Sequence, residues 1–209
     1  MMEKNTSEIL TQPKWSQYVS RSCALIFALS LFVILLPFFA VIGILIIIGS
    51  PGPVFFTQER GGKDGKHFTI YKFRTMIYEP EKRNLDLDSS FSDPRITKIG
   101  HFLRNTSLDE LPQIINILKG EMAFVGPRPT MTSQTDNYND YEKQRLSVRP
   151  GVTGLAQING RNALSWSEKI DLDIEYIHKK NIHYDLYIII QTFFKVIKPE
   201  GLYGKEKKE

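Results

Sequence analysis

Cysteine is all but missing from this 209-residue chain. Cys23 stands alone, so no disulfide can form within the chain, and a reducing compartment is expected. Internal repeats and low-complexity tracts are missing too. Charge is not segregated: 27 Lys and Arg are interspersed with 23 Asp and Glu, for a net charge of +4. That argues against a polycationic arm and against nucleic acid as a partner, while the small basic excess suits phosphates, nucleotides or acidic lipid head groups. Two ligand signatures are lacking as well. Gly65-Lys66 is followed by His67, and the glycines before it have the wrong spacing for a P-loop. Asp86, Asp88 and Asp93 lack EF-hand spacing, which leaves a solvated loop. The length suits one domain with a real core.

Charge is also absent from residues 22–58, and 24–48 is almost wholly apolar. The run is too long for a signal-peptide core, and no small-x-small cleavage site follows. At about 1.5 Å per residue it would reach across roughly 30 Å of hydrocarbon. Pro37 falls near its middle, cannot donate to the carbonyl of Val33, and favours a kink or break there. Lys4, Lys14 and Arg21 precede the run, and Arg60, Lys63, Lys66, Lys72 and Arg74 follow it, which places both ends in the cytoplasm. A segment that enters, turns at Pro37 and leaves by the same face satisfies both facts; the alternative is a kinked single span with the catalytic part inside.

Beyond the turn cluster at 49–53, residues 54–57 and 67–73 read as strands joined by a hairpin loop over 60–66. Lys72 and Arg74 share one face of the second strand, where they meet an anion or solvent. A polar loop over 78–92 leads to a short helix at 96–104 that ends in Arg104. Then come Asp109 and Glu110, followed by Leu111, Ile114, Ile115 and Leu118 at helical spacing, with Gly120 as C-cap. Pro112 belongs in the first turn, so the helix is expected to start near residue 108 or 109. The two acids would then lie at the positive end of a helix dipole, which favours carboxylates and can hold a phosphate. Taken alone, the pair is better read as ordinary first-turn acids.

Residues 122–125 form a brief strand that ends in Gly126-Pro127-Arg128-Pro129. Two prolines around an arginine fix the backbone and present a bidentate donor, which is what a phosphate or diphosphate calls for; a Pro-rich turn with an exposed Arg is the plainer account. A polar helical stretch follows at 133–145. The Gly- and amide-rich loop 149–161, ending in Arg161, reads either as a nucleotide or sugar contact or as a scaffold turn. A helix over 166–178 carries Asp171, Asp173 and Glu175. Residues 184–198 place Leu186, Ile189, Ile190, Phe193, Phe194 and Ile197 on one stripe, which suits an interfacial helix or a core helix. The charged tail 205–209 is expected to be disordered.

Five segments occur together in order: Lys72-Phe73-Arg74-Thr75-Met76, Asp93-Pro94-Arg95-Ile96-Thr97, Ser107 through Gln113, Gly126-Pro127-Arg128-Pro129, and Arg149-Pro150-Gly151-Val152-Thr153-Gly154. With them the chain resembles the small monotopic phosphoglycosyl transferases of the bacterial sugar transferase family, over about residues 18–198. The resemblance implies a mainly helical α+β protein with a Pro-broken re-entrant helix at 19–50, a small β-hairpin, interfacial amphipathic helices, and a cytoplasmic catalytic domain over 51–209. Where family members often carry a serine before the proline, Leu36 stands here. The implied location is the bacterial inner membrane. The implied reaction transfers a phosphosugar from a UDP-sugar to undecaprenyl phosphate, releases UMP, and initiates lipid-linked glycan synthesis ahead of downstream glycosyltransferases.

By position, Asp109 matches the family nucleophile and Glu110 its partner acid, with Mg²⁺ held between these acids and the donor phosphates. Arg128, with Pro127 and Pro129, matches the anion-binding turn, and Asp173 an acid on a later helix. Arg104, Lys72, Arg74 and Arg161 complete the expected phosphate-binding set, and a homodimer is among the expected assemblies. Two other readings use the same residues: a metal-dependent membrane phosphatase or pyrophosphatase, and a non-catalytic scaffold for polysaccharide assembly. The identity of the sugar is not written in any motif.

Overall fold

A computed structural model of the chain describes residues 14–78 and 93–197. The expected loop with Asp86 and Asp88, Lys4 of the N-terminal basic flank and the charged tail lie outside the described residues. Helix α1, Lys14–Gly49, is 36 residues long and contains Pro37. The break expected at Pro37 is therefore corrected: the helix passes through the proline. Losing one backbone hydrogen bond costs about 3 kcal/mol. Packing on both sides of Pro37 opposes that cost, because Leu35 and Phe39 are held on the same domain surface.

That surface runs the length of the helix. Ala28, Leu31, Phe32, Leu35 and Phe39 pack against Phe68, Ile70, Ile114, Ile117 and Met122. Further along, Ile42 and Ile46 join Phe73, Ile99 and Leu103. These positions follow the i, i+3, i+4 spacing of one helical stripe. Arg21 anchors the near end by donating to the carbonyls of Ile117 (2.7 Å) and Met122 (3.4 Å). The other faces of α1 expose large apolar side chains, with Ile48 77% and Ile26 67% accessible.

Strands β1 (Phe55–Gly61) and β2 (His67–Phe73) form an antiparallel hairpin in the register Phe55↔Phe73 to Gly61↔His67. The tight turn is shorter than the expected loop, so Arg60 and Gly61 belong to the strand. Helix α2 (Lys98–Thr106) starts at Thr97, whose hydroxyl caps the N–H of Gly100 at 3.0 Å. A 3₁₀ turn over Leu108–Gln113 leads into helix α3 (Ile114–Lys119), which ends at Gly120 in the left-handed region, as the sequence led one to expect.

Strand β3 (Ala123–Val125) pairs in parallel with β4 (Gly151–Thr153). The polar stretch between them divides into short helices α4 (Thr132–Thr135) and α5 (Asp140–Lys143) and a 3₁₀ turn at Gln144–Ser147, rather than one helix. Helix α6 (Leu155–Ile158) and helix α7 (Trp166–Lys179) follow, the latter opened by a capping box between Ser165 and Glu168. Helix α8 (Ile182–Ile197) buries Ile188 but turns Leu186, Ile190, Phe193 and Phe194 outward, Phe193 being 64% accessible. Its apolar stripe faces away from the core, so the core-helix reading does not hold.

Candidate active site

The acidic pair sits in the 3₁₀ turn, not in the first turn of an α-helix. Ser107 takes a left-handed conformation (φ 57°) that ends α2 and reverses the chain. Leu108 and Leu111 then pack into the cluster around Phe73 and Leu103, while Pro112 and Gln113 are buried. Those anchors leave Asp109 and Glu110 on the open side of the turn. Asn116, fully buried on α3, locks the turn to the hairpin: its amide donates to the Thr69 carbonyl (2.7 Å) and its oxygen accepts the Tyr71 N–H (3.1 Å). This places Lys72, the next residue of β2, beside Glu110.

Glu110 is the hub. Its Oε1 accepts from Lys72 Nζ at 2.8 Å and from Arg128 Nη2 at 2.7 Å, and its Oε2 accepts from Arg128 Nη1 at 3.3 Å. Burial alone would push Glu110 up, but Arg128 and Lys72 outweigh it and hold the carboxyl far below the usual range. Asp109 goes the other way. Burial, then the neighbouring Glu110 charge, push it up to about 6, against the pull of Lys72, Arg128 and Arg104. Two adjacent carboxylates thus have opposite characters: one locked into ion pairs, the other more basic than an ordinary carboxyl.

Arg128 is carried by the loop after β3, and the loop is fixed from several sides. Gly126 donates to Thr153 (2.9 Å) and Gly151 to the Pro127 carbonyl (2.9 Å). A Cβ on Gly126 would meet the Arg149 carbonyl at 2.5 Å, so the close approach requires glycine. Arg145 donates to the Arg128 carbonyl at 3.2 Å and to the Tyr138 hydroxyl at 2.6 Å. Arg104 donates from Nε to Thr75 Oγ1 at 2.9 Å, and its charge reaches Asp109. Arg161, at φ 49° just after Gly160, is pushed down by burial and drawn back up by the charges of Glu110 and Asp109.

Two expected site residues lie elsewhere. Arg74 is buried and donates to the Ser50 and Pro51 carbonyls, tying the end of α1 to the hairpin rather than meeting an anion. Its side chain parts from that of Lys72 because it lies just beyond the strand. Asp173 is 2% exposed and paired with Arg145 at 2.6 Å, so it acts on the site through the Arg128 loop. Burial pushes its carboxyl up to about 6 despite Arg145. Arg145 and Arg60 were missed in the sequence. Arg145 lies in a polar stretch without motif or periodicity, and Arg60 was read as a loop residue.

No cluster of three or more His, Cys, Asp or Glu side chains suited to a metal is found among the described residues. The donor set is two adjacent carboxylates, with one lone pair on Glu110 Oε2 left over after its ion pairs. That fits Mg²⁺ shared with substrate phosphates and water, and does not fit an all-protein cage.

Residues 15–199 match the family model described as bacterial sugar transferase. The chain is 47% identical over 156 residues to the uncharacterized sugar transferase EpsL of Bacillus subtilis (strain 168), covering 74% of each chain. It is 39% identical over 189 residues to the UDP-glucose:undecaprenyl-phosphate glucose-1-phosphate transferase of Escherichia coli (strain K12), covering 86% of this chain and 40% of that one. It is 36% identical over 166 residues to the undecaprenyl-phosphate galactose phosphotransferase of Salmonella typhimurium (strain LT2), covering 73% of this chain and 35% of that one. The chain thus spans less than half the length of the latter two relatives. With this match over nearly its whole length, the chain belongs to the bacterial sugar transferase family.

Proposed function

We propose that the protein transfers a phosphosugar from a UDP-sugar to undecaprenyl phosphate at the cytoplasmic face of the inner membrane and so starts a lipid-linked glycan. The observation that carries this reading is the charge arrangement. Lys72, Arg104, Arg128 and Arg161 surround an Asp109 carboxylate that none of them neutralises outright. Cations in that number beside a free nucleophile suit a diphosphate substrate. The relatives named for glucose-1-phosphate and galactose phosphotransfer to undecaprenyl phosphate support the same chemistry.

In the proposed mechanism, an Asp109 oxygen attacks the sugar-bearing phosphorus, and the bond from that phosphorus to the bridging oxygen of UMP breaks. UMP leaves with the electron pair, and an aspartyl-phosphosugar remains. An oxygen of undecaprenyl phosphate then attacks the same phosphorus, restoring the Asp109 carboxylate and giving the lipid diphosphosugar. Arg128, Arg104 and Lys72 take up charge on the phosphoryl oxygens as it develops. Asp109 and Glu110 would hold Mg²⁺, which when bound offsets the donor's negative charge.

The packing of α1 supports one reading of the membrane arrangement. Hairpin, α3 and α2 contacts run along one stripe of the helix from Arg21 to Ile46. A helix crossing the bilayer would carry those polar-edged elements into hydrocarbon, which is costly. We read α1 as lying in the cytoplasmic leaflet with its outer faces in lipid, and α8 as an interfacial helix.

A panel of UDP-sugars with undecaprenyl phosphate, followed by UMP release, tests the reading. UMP release that depends on the lipid acceptor beyond a first turnover is expected. Full-rate release of free sugar phosphate without acceptor would instead identify a phosphatase. The Asp109 carboxyl at about 6 adds a pH signature. Below that value Asp109 is protonated and cannot attack, so kcat/KM is expected to fall as pH drops through about 6 and to level off above it. The limb belongs to the Asp109–Glu110 pair as a unit.

A further inference from the structure

The hairpin brings one more cation to the site than the motifs or the mechanism use. Arg60 lies on β1, its backbone bridged to Met131, and the next residue, Gly61, donates to the Thr130 carbonyl at 3.0 Å. Strand and Arg128 loop are therefore one unit. Arg60 lines a solvent-open depression together with Ile70, Lys72, Gln113, Arg128 and Pro129.

Its three cations differ in how they are satisfied. Lys72 and Arg128 are both paired with Glu110. Arg60 donates from Nη2 to Gln58, and its Nε is buried without a partner. Burial and the neighbouring Arg128 both push Arg60 down, and Glu110 only partly offsets them. A cation held beside a like charge with a buried donor unspent is poorly compensated until an anion joins it.

We propose that Arg60 is a substrate-binding residue that completes, with Lys72 and Arg128, a cradle for a substrate phosphate group. The inference rests on the phosphosugar-transfer reading, which supplies two such groups, the nucleotide diphosphate and the lipid phosphate.

The test uses the purified full chain in detergent or nanodiscs. Arg60→Ala raises KM for the substrate whose phosphate it holds by roughly tenfold to a hundredfold, the range for a charge-assisted hydrogen bond, with a smaller change in kcat. A higher donor KM with weaker UDP binding by calorimetry identifies the nucleotide diphosphate. A higher acceptor KM alone identifies the lipid phosphate. Arg60→Lys keeps the charge but not the fork, so it falls between wild type and Arg60→Ala, and it decides the matter if the alanine variant does not fold. Gln58→Ala removes only the neutral partner of Arg60 and leaves both KM values within about twofold. Unchanged KM for both substrates and unchanged UDP affinity in folded Arg60 variants overturn the proposal. Turnover that persists in Asp109→Asn overturns the covalent mechanism and leaves the UDP affinities of the Arg60 variants to be read on their own.

Discussion

Asp109→Asn is expected to fold as the wild type does and to lose turnover by about 10⁴-fold or more, the scale seen when a nucleophile is removed from a working catalytic unit. The substitution is close to isosteric and leaves the charge network standing, because Glu110, not Asp109, carries the ion pairs to Lys72 and Arg128. It also removes the one carboxylate that burial and Glu110 make unusually basic. A thermal melt alongside UMP release checks both halves of the expectation. Activity within about a hundredfold of wild type would mean direct transfer from donor to lipid, with Asp109 in a supporting part. Glu110→Gln makes a useful contrast. It should unseat Arg128 as well as slow the reaction, since Glu110 is what Arg128 grips.

The second large effect is on stability. Arg145 and Asp173 are 5% and 2% exposed, and their charged groups meet at 2.6 Å. Yet burial still leaves the Asp173 carboxyl raised to about 6, so Arg145 does not repay the full desolvation of its partner. Breaking such a pair from one side strands the other charge, at about 3–5 kcal/mol. Replacing both members with uncharged groups of similar size costs much less. Arg145→Met alone is therefore expected to lower the melting temperature sharply, and Arg145→Met with Asp173→Asn to recover most of the loss. Activity should not return with it, because the double variant still lacks the donor that holds the Arg128 carbonyl and the Tyr138 hydroxyl. Full recovery of activity in the double variant would show that Arg145 has no part in placing Arg128.

The chemistry of this site was more legible in the sequence than its geometry. The acidic pair and the Pro-Arg-Pro turn are local signals, and the structure brings them together through the Glu110–Arg128 ion pair. The 3₁₀ turn under the pair was not legible, because Leu111, Ile114, Ile115 and Leu118 fit α-helical spacing whether or not the first turn is tightened. Residue Pro112 inside that turn was the available hint. Strand β4 escaped notice because three residues, one of them Gly151, carry no period, and its pairing partner β3 lies 28 residues earlier. Arg74 and Lys72 looked alike in sequence, and only the position of Ser50 in three dimensions separates the structural arginine from the lysine at the site. Pro37 shows the same limit from the other side. A local rule argued for a break, and tertiary packing along α1 overrode it. The two cations that sequence reasoning passed over are placed by contacts distant in the chain: the backbone of Arg60 bridges to Met131, and Arg145 pairs with Asp173.

The central claim is that Asp109 carries the phosphosugar between donor and lipid. Intact-protein and peptide mass spectrometry after incubation with UDP-sugar and Mg²⁺, without lipid, measures this directly. The account predicts a mass increase of one phosphosugar on the peptide containing Asp109, absent from Asp109→Asn and discharged when undecaprenyl phosphate is added. Product formation with no adduct on that peptide, under the same conditions and on the timescale of a single turnover, would contradict it.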